Sequence, residues 1–145
     1  MRIQPTPGRI LEVLLVGVLA AATGCATYSQ DLERARRHYQ DLEFKKTLAV
    51  LRMLGEDIDA LSPAERAQFA FLRGMTDLRL SDTLPAGGRL RSQFRACARD
   101  WLDEALAFDR AAGASLSPIQ LARTKSALAQ LVDVEAAQGG CLVAD

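Results

Sequence analysis

Residues 32–54, "LERARRHYQDLEFKKTLAVLRML", decide the fold, because apolar side chains recur along them at three- and four-residue steps. Such spacing is typical of amphipathic helices, with one apolar stripe beside a charged face. It predicts one helix from Thr27 to about Leu42 and a second from Phe44 to Leu54. The first stripe consists of Leu32, Ala35, Tyr39 and Leu42, and the second contains Leu48, Leu51 and Leu54.

Two later helix starts are marked by local motifs. "SPAE" at residues 62–65 and "SPIQ" at residues 117–120 each place a serine N-cap before a proline, with Glu or Gln three residues after the serine. They predict a third helix after Ser62 and a fifth from Pro118 to about Ala137. A fourth is predicted between the loop "SDTLPAGG" at residues 81–88 and Phe108. The predicted fold class is all-α, with about five amphipathic helices arranged as antiparallel hairpins.

The first two helices resemble a tetratricopeptide repeat. Ala35, Tyr39 and Phe44 lie on motif positions, whereas Thr47 replaces the usual alanine of the second helix. A second, split match consists of "FLRGMTDLRLSD" at residues 71–82 and "ARDWLDEALAFD" at residues 98–109, with Gly74 as the residue of close helix contact. The resemblance implies a stack of two repeats capped by the C-terminal helix. A generic five-helix bundle is the alternative, because the repeat-closing prolines are missing and such arrays usually need at least three repeats.

The N-terminal region has the layout of an export signal. Arg2 and Arg9 precede an apolar core that is too short for a membrane span. Residues 22–25, Ala-Thr-Gly-Cys, resemble the lipobox of bacterial lipoproteins, which implies cleavage before Cys25, a diacylglycerol thioether and an acyl chain such as palmitate on its amine. Ala26 resembles the outer-membrane sorting signal of enterobacterial lipoproteins. The alternatives are an ordinary signal peptide with an incidental cysteine, or a buried N-terminal helix.

These observations divide the chain into four parts. Residues 1–24 are the predicted signal peptide, 25–30 the lipidated N-terminus and tether, 31–137 the helical domain, and 138–145 a C-terminal tail. The 145 residues carry 18 basic and 18 acidic side chains, so the chain lacks the basic excess of a nucleic-acid-binding domain.

Two of the three cysteines remain if Cys25 carries lipid. An even pair in an oxidising compartment predicts a disulfide between Cys97 and Cys141, which would stabilise the fold by about 4 kcal/mol on the chain-entropy view. The alternative is two free thiols, with Cys97 as a small core residue.

The sequence offers little for catalysis. His38 is the single histidine, and its position beside the apolar stripe favours a surface or half-buried structural role. Glu56, Asp57 and Asp59 lack the spacing of a calcium loop, so a solvated turn and no metal site are predicted. We therefore expect a protein that is not an enzyme, with no small-molecule substrate and no cofactor besides the covalent lipid on Cys25.

A row of arginines is the candidate partner surface. The arginine ridge consists of Arg89, Arg91, Arg95 and Arg99, of which the last three recur every four residues. It could contact an acidic partner, or it could be a solvated face balanced by Asp100, Asp103 and Glu104. The helical spacing would also allow Arg99 to pair with Asp103.

The expected function is that of a lipid-anchored periplasmic lipoprotein of the outer membrane that binds an envelope protein or peptide. The alternative is a structural accessory subunit, similar to pilotins or assembly factors, of an outer-membrane secretion, pilus or barrel-assembly machine. An envelope hydrolase is the third hypothesis, and it would need His38 and carboxylates to converge in a pocket.

Overall fold

The computed structural model describes residues 28–135 and Cys141. The predicted signal peptide 1–24, the lipidation site Cys25 and most of the tail 138–145 lie outside the described residues, so those assignments stay predictions. All regular structure in the described part is helical, and it contains no strand. Its five helices pack as antiparallel pairs, which confirms the predicted all-α fold class.

The helices follow the predicted order, with small shifts at their ends. They are α1 (residues 28–40), α2 (Phe44–Gly55), α3 (Pro63–Asp82), α4 (Arg89–Ala111) and α5 (Pro118–Gln130), and a turn of 3-10 helix (Ile58–Ala60) lies between α2 and α3. The predicted end of α5 near Ala137 was wrong, because Leu131 leaves the helical conformation and is fully buried.

Both motif-marked helix starts are confirmed. The Ser62 hydroxyl accepts a hydrogen bond from the Glu65 amide at 3.3 Å, and the Ser62 amide donates to the Glu65 carboxylate at 2.9 Å. Ser117 and Gln120 repeat this reciprocal arrangement at 3.2 and 2.9 Å. Each box satisfies helix-terminal amides that have no partner inside the helix, and therefore fixes where α3 and α5 begin.

Leu42 departs from the predicted apolar stripe. Because α1 ends at residue 40, Leu42 lies in the turn before α2, where it has a φ of 60° and is 72% exposed. The left-handed region disfavours a side chain with a Cβ atom, so a bulky apolar residue is unusual there. The prediction that Leu42 packs on the core was wrong.

α3 is the central helix of the domain. Every side chain from Phe71 to Leu78 is buried, and α3 packs most extensively against α4. The Phe69 and Trp101 rings meet edge to face, with their centroids 5.4 Å apart. α3 therefore has no wide solvent-exposed face along its middle turns.

Gly74 lies at a close approach of α3 and α4. A Cβ atom at this position would lie 2.6 Å from Cγ of Leu102 and 3.1 Å from the carbonyl oxygen of Ala98. Both distances are well below ordinary van der Waals contact. The prediction that Gly74 is a residue of close helix contact is confirmed.

Asp109 organises the loop between α4 and α5. Its buried carboxylate accepts hydrogen bonds from the backbone amides of Ser115 and Leu116, both at 2.7 Å. These bonds hold a loop that contains two left-handed residues, Gly113 and Ala114. Asp109 thereby sets the direction in which α5 returns along the domain.

Candidate functional site

Most of the arginine ridge binds other parts of the same chain. Arg91 donates to the carbonyl of Leu84 at 3.0 Å, and Arg95 donates to the carbonyl of Gln130, the last residue of α5, at 2.9 Å. Arg99 donates to the carbonyl of Val134, and its Nε atom lies 4.0 Å from the Asp103 carboxylate, at the predicted helical spacing.

The ridge therefore has a structural role. Cations stabilise the unpaired carbonyls at a helix C-terminus, and the four-residue spacing of Arg95 and Arg99 matches that of the two carbonyls that they bind. These contacts join α4 to the end of α5 and to the residues that follow it. Arg89 is exposed at the first position of α4, and a partner surface on the ridge stays a prediction.

A disulfide joins Cys97 in α4 to Cys141, with the two Cα atoms 5.3 Å apart. Cys97 is 5% exposed and belongs to the core. The bond closes a loop with a sequence separation of 44 residues, and it thereby attaches the chain after α5 to α4.

A buried ion pair lies beneath this attachment. Arg73 donates from Nε to the Asp77 carboxylate at 3.1 Å and from its terminal nitrogen to the carbonyl of Cys141 at 2.9 Å. The Arg73 guanidinium also lies 5.9 Å from the centre of the Trp101 ring. Both side chains of the pair are at most 2% exposed.

Burial dominates the electrostatics of this pair. Desolvation raises the pKa of Asp77 from its ordinary value of 3.8 to about 6, although the Arg73 charge and hydrogen bond oppose the shift. The second carboxylate oxygen of Asp77 and one terminal nitrogen of Arg73 have no hydrogen-bond partner among the described residues. The sequence signal for this pair is an arginine and an aspartate four residues apart within an apolar stretch. The pair was missed from the sequence alone, because the stretch was interpreted only as part of a repeat.

The described residues enclose a groove of about 830 Å³ that the alternate helices α1, α3 and α5 line. α3 forms its floor, α5 forms one wall, and the end of α1 with the start of α2 forms the other. Its lining residues are Arg36, Tyr39, Gln40, Leu42 and Phe44 on the first wall, Phe71, Leu72, Met75, Leu78, Arg79 and Asp82 on α3, and Gln120, Arg123, Ser126, Ala127 and Gln130 on α5.

A polar network sets the spacing of the three helices near the start of the groove. Gln120 of α5 donates to the side-chain oxygen of Gln68 in α3 at 2.7 Å, and Arg36 of α1 donates to the same oxygen at 3.3 Å. Gln68 donates in turn to the carbonyl of Ser115 at 3.2 Å. A concave surface of this size is typical of ligand sites, and here polar walls border an apolar floor.

His38 lies outside the groove. Its Nδ1 atom is 2.7 Å from the Glu43 carboxylate, and Lys46 donates to the other oxygen of Glu43 at 2.5 Å. The Lys46 hydrogen bond, followed by that of His38, lowers the pKa of Glu43. These contacts tie the turn between α1 and α2 together, and His38 is half-buried as expected.

Residues 28–135 and Cys141 contain no group of three or more His, Cys, Asp or Glu side chains that could hold a metal ion. None of the helices described in this range is both long enough and apolar enough to cross a bilayer.

Comparison with protein-family models, with curated proteins and with solved structures finds no match to this chain.

Proposed function

We propose that this protein is a lipid-anchored lipoprotein of the cell envelope, and that its helical domain binds a segment of a partner protein without catalysing a reaction. The proposal also interprets the five helices as two tetratricopeptide-like hairpins with α5 as a cap. The groove between α1, α3 and α5 is the observation that carries it.

The groove supports binding for three reasons. It lies on α1 and α3, which are the first helices of the two hairpins in this interpretation, and on the capping helix α5, so it corresponds to the concave face of a helical stack. Its volume of about 830 Å³ suits several side chains of a bound segment. In addition, the Gln68 network holds its helices at a fixed distance before any ligand arrives, which reduces the ordering cost of binding.

The envelope location rests on the sequence and on one structural feature. The export signal and the lipobox-like residues 22–25 support lipidation at Cys25, and several acyl chains on one residue anchor a protein stably. Residue 26 favours the periplasmic face of the outer membrane. The Cys97–Cys141 bond is consistent with this location, because disulfides persist in oxidising compartments.

A binding module is favoured over an obligate structural subunit by the closed core of the described domain. The central helix α3 is covered by its neighbours, and the large apolar side chains that remain exposed are scattered rather than joined in one face. The isolated domain should therefore fold without a partner.

Site-specific crosslinking in the source cells tests the groove. A photoreactive amino acid in place of Ser126, which is exposed on the α5 wall, should crosslink to a discrete envelope protein. The matched control replaces Glu104, which is exposed on α4 outside the groove. Equal crosslinking from both positions, or from neither, would contradict binding in the groove.

The anchor has a separate test. Cells fed an alkyne-labelled palmitate should incorporate the label into the wild-type protein and not into Cys25→Ser, and the variant should leave the membrane fraction. If Cys25→Ser is processed and fractionates as the wild type does, the anchor is wrong while the groove proposal stands.

A further inference from the structure

We infer that the groove ligand is an acidic protein segment, in which Asp or Glu side chains flank large apolar ones. This inference rests on the proposed function, and it adds the chemical class of the partner.

The charges that line the groove favour such a ligand. Arg79 on the floor helix and Arg123 on the α5 wall are exposed, and no described residue forms a hydrogen bond or ion pair with either guanidinium. Arg36 differs, because it contacts Glu33 at 3.4 Å and Gln68 at 3.3 Å. Among the described lining residues, Asp82 is the only acid. Two arginines on α3 and α5 that have no partner among residues 28–135 and Cys141 can each pair with a carboxylate of the ligand.

The remaining lining favours a peptide over a lipid. The floor is apolar but its side chains, such as Met75 and Leu78, are largely buried, whereas the walls carry the exposed Gln40, Ser126 and Gln130. Amide and hydroxyl groups can donate to and accept from a peptide backbone, whose polar groups need partners when they leave water. An acyl chain would leave these wall groups without partners.

Leu42 gives an independent reason to place an apolar side chain of the ligand at the first wall. It lines the groove, is 72% exposed, and is held in a left-handed conformation that a leucine rarely adopts. Strained backbone at a ligand site persists when the rest of the fold holds it there. Leu42 buries little surface in the free domain, so contact with a ligand would give this side chain a role.

The test is a selection of short random peptides displayed on phage, with the purified full-length mature protein in detergent as the bait. Selected peptides should be enriched in Asp and Glu together with Leu, Ile or Phe. Binding of the best synthetic peptide should weaken by about tenfold or more in Arg79→Glu/Arg123→Glu, since like charges would then face each other. The matched control, Arg37→Glu/Arg110→Glu, changes the net charge equally at exposed arginines that do not line the groove, and should bind as the wild type does.

Leu42→Asn should bind the same peptide several-fold more weakly while its melting temperature rises, which separates a ligand contact from a structural role. If Ser126→Trp abolishes binding of the selected peptides, they bind in the groove. Should such peptides lack acidic residues, the inference is overturned and the proposed function stands. Peptides whose binding survives Ser126→Trp would overturn the proposed function itself. If binding to phosphatidylglycerol vesicles depends on Arg79 and Arg123 and binding to no peptide does, the ligand is a lipid and the inference is wrong.

Discussion

Replacement of Gly74 by alanine should destabilise this domain, although the same change stabilises most helices. Alanine in place of glycine inside a helix ordinarily contributes about 1 kcal/mol. Here the new Cβ atom would lie 2.6 Å from Cγ and 2.9 Å from Cδ2 of Leu102, and 3.1 Å from the carbonyl oxygen of Ala98. Carbon atoms pack best at about 3.5–4.0 Å, so α3 and α4 would have to separate by several tenths of an ångström.

The magnitude follows from the two opposing effects. Overpacking of a well-filled core costs about 1–3 kcal/mol, and the upper part of that range applies because Leu102 is fully buried and the Ala98 oxygen belongs to a helix backbone. After the helix-propensity gain is subtracted, Gly74→Ala should lower the free energy of unfolding by about 1–2 kcal/mol.

A double-mutant cycle identifies the cause. Leu102→Ala alone should cost about 2–5 kcal/mol through the cavity it leaves. In the double variant the alanine methyl group enters that cavity, so the double variant should be more stable than the sum of the single effects by about 2 kcal/mol. Ala49→Gly, at an exposed position within α2, measures the helix-propensity difference in this protein.

Urea denaturation followed by far-ultraviolet circular dichroism gives all four free energies. If Gly74→Ala is at least as stable as the wild type, the close approach of α3 and α4 is refuted. Strictly additive single effects would show that Leu102 is not the neighbour that resists the methyl group.

Three other perturbations have defined outcomes. Because the pKa of Asp77 is raised from 3.8 to about 6, the folded chain binds a proton at Asp77 more tightly than the unfolded chain does. The stability that this proton contributes is fully present below pH 3.8 and is lost as the pH rises to about 6. In urea titrations across that pH range, the unfolding free energy of the wild type should therefore fall by about 3 kcal/mol relative to that of Asp77→Asn. If the unfolding free energies of the two proteins change in parallel with pH, this prediction is contradicted. Asp109→Ala removes the acceptor of two backbone amides and should cost about 2–3 kcal/mol, read as a lower melting temperature, whereas an unchanged value would show that the loop does not depend on this carboxylate. Leu42→Asn removes a leucine that is held in a left-handed conformation and buries little surface, so the free energy of unfolding should rise by about 1 kcal/mol, read as a higher melting temperature. A lower melting temperature would mean that Leu42 packs against the domain in solution.

The sequence predicted those features that depend on residues close together in the chain. Ser62 and Ser117 mark helix starts because each cap bonds a residue three positions later. Gly74 was identified through its place in a repeat motif, which encodes the distance between packed helices. The order of the five helices followed from the same short-range periodicity.

Features that depend on distant residues could not be predicted in the same way. Leu42 continued the apolar spacing of α1, yet the chain turns before it and exposes it. Arg95 and Arg99 looked like a free basic face because the carbonyls that they bind lie 35 residues later. The arrangement of groove residues depends on how α1, α3 and α5 pack together, which spacing along one helix does not specify.

The two walls of the groove are attached to the domain in different ways. The disulfide encloses the second half of α4 and all of α5 in one covalent ring, so α5 cannot swing away from α4 by more than the ring allows. The hairpin of α1 and α2 is held to α3 by packing and hydrogen bonds alone. Because the disulfide ties α5 and does not enclose α1 or α2, amide hydrogens of α1 and α2 should exchange with solvent sooner than those of α5.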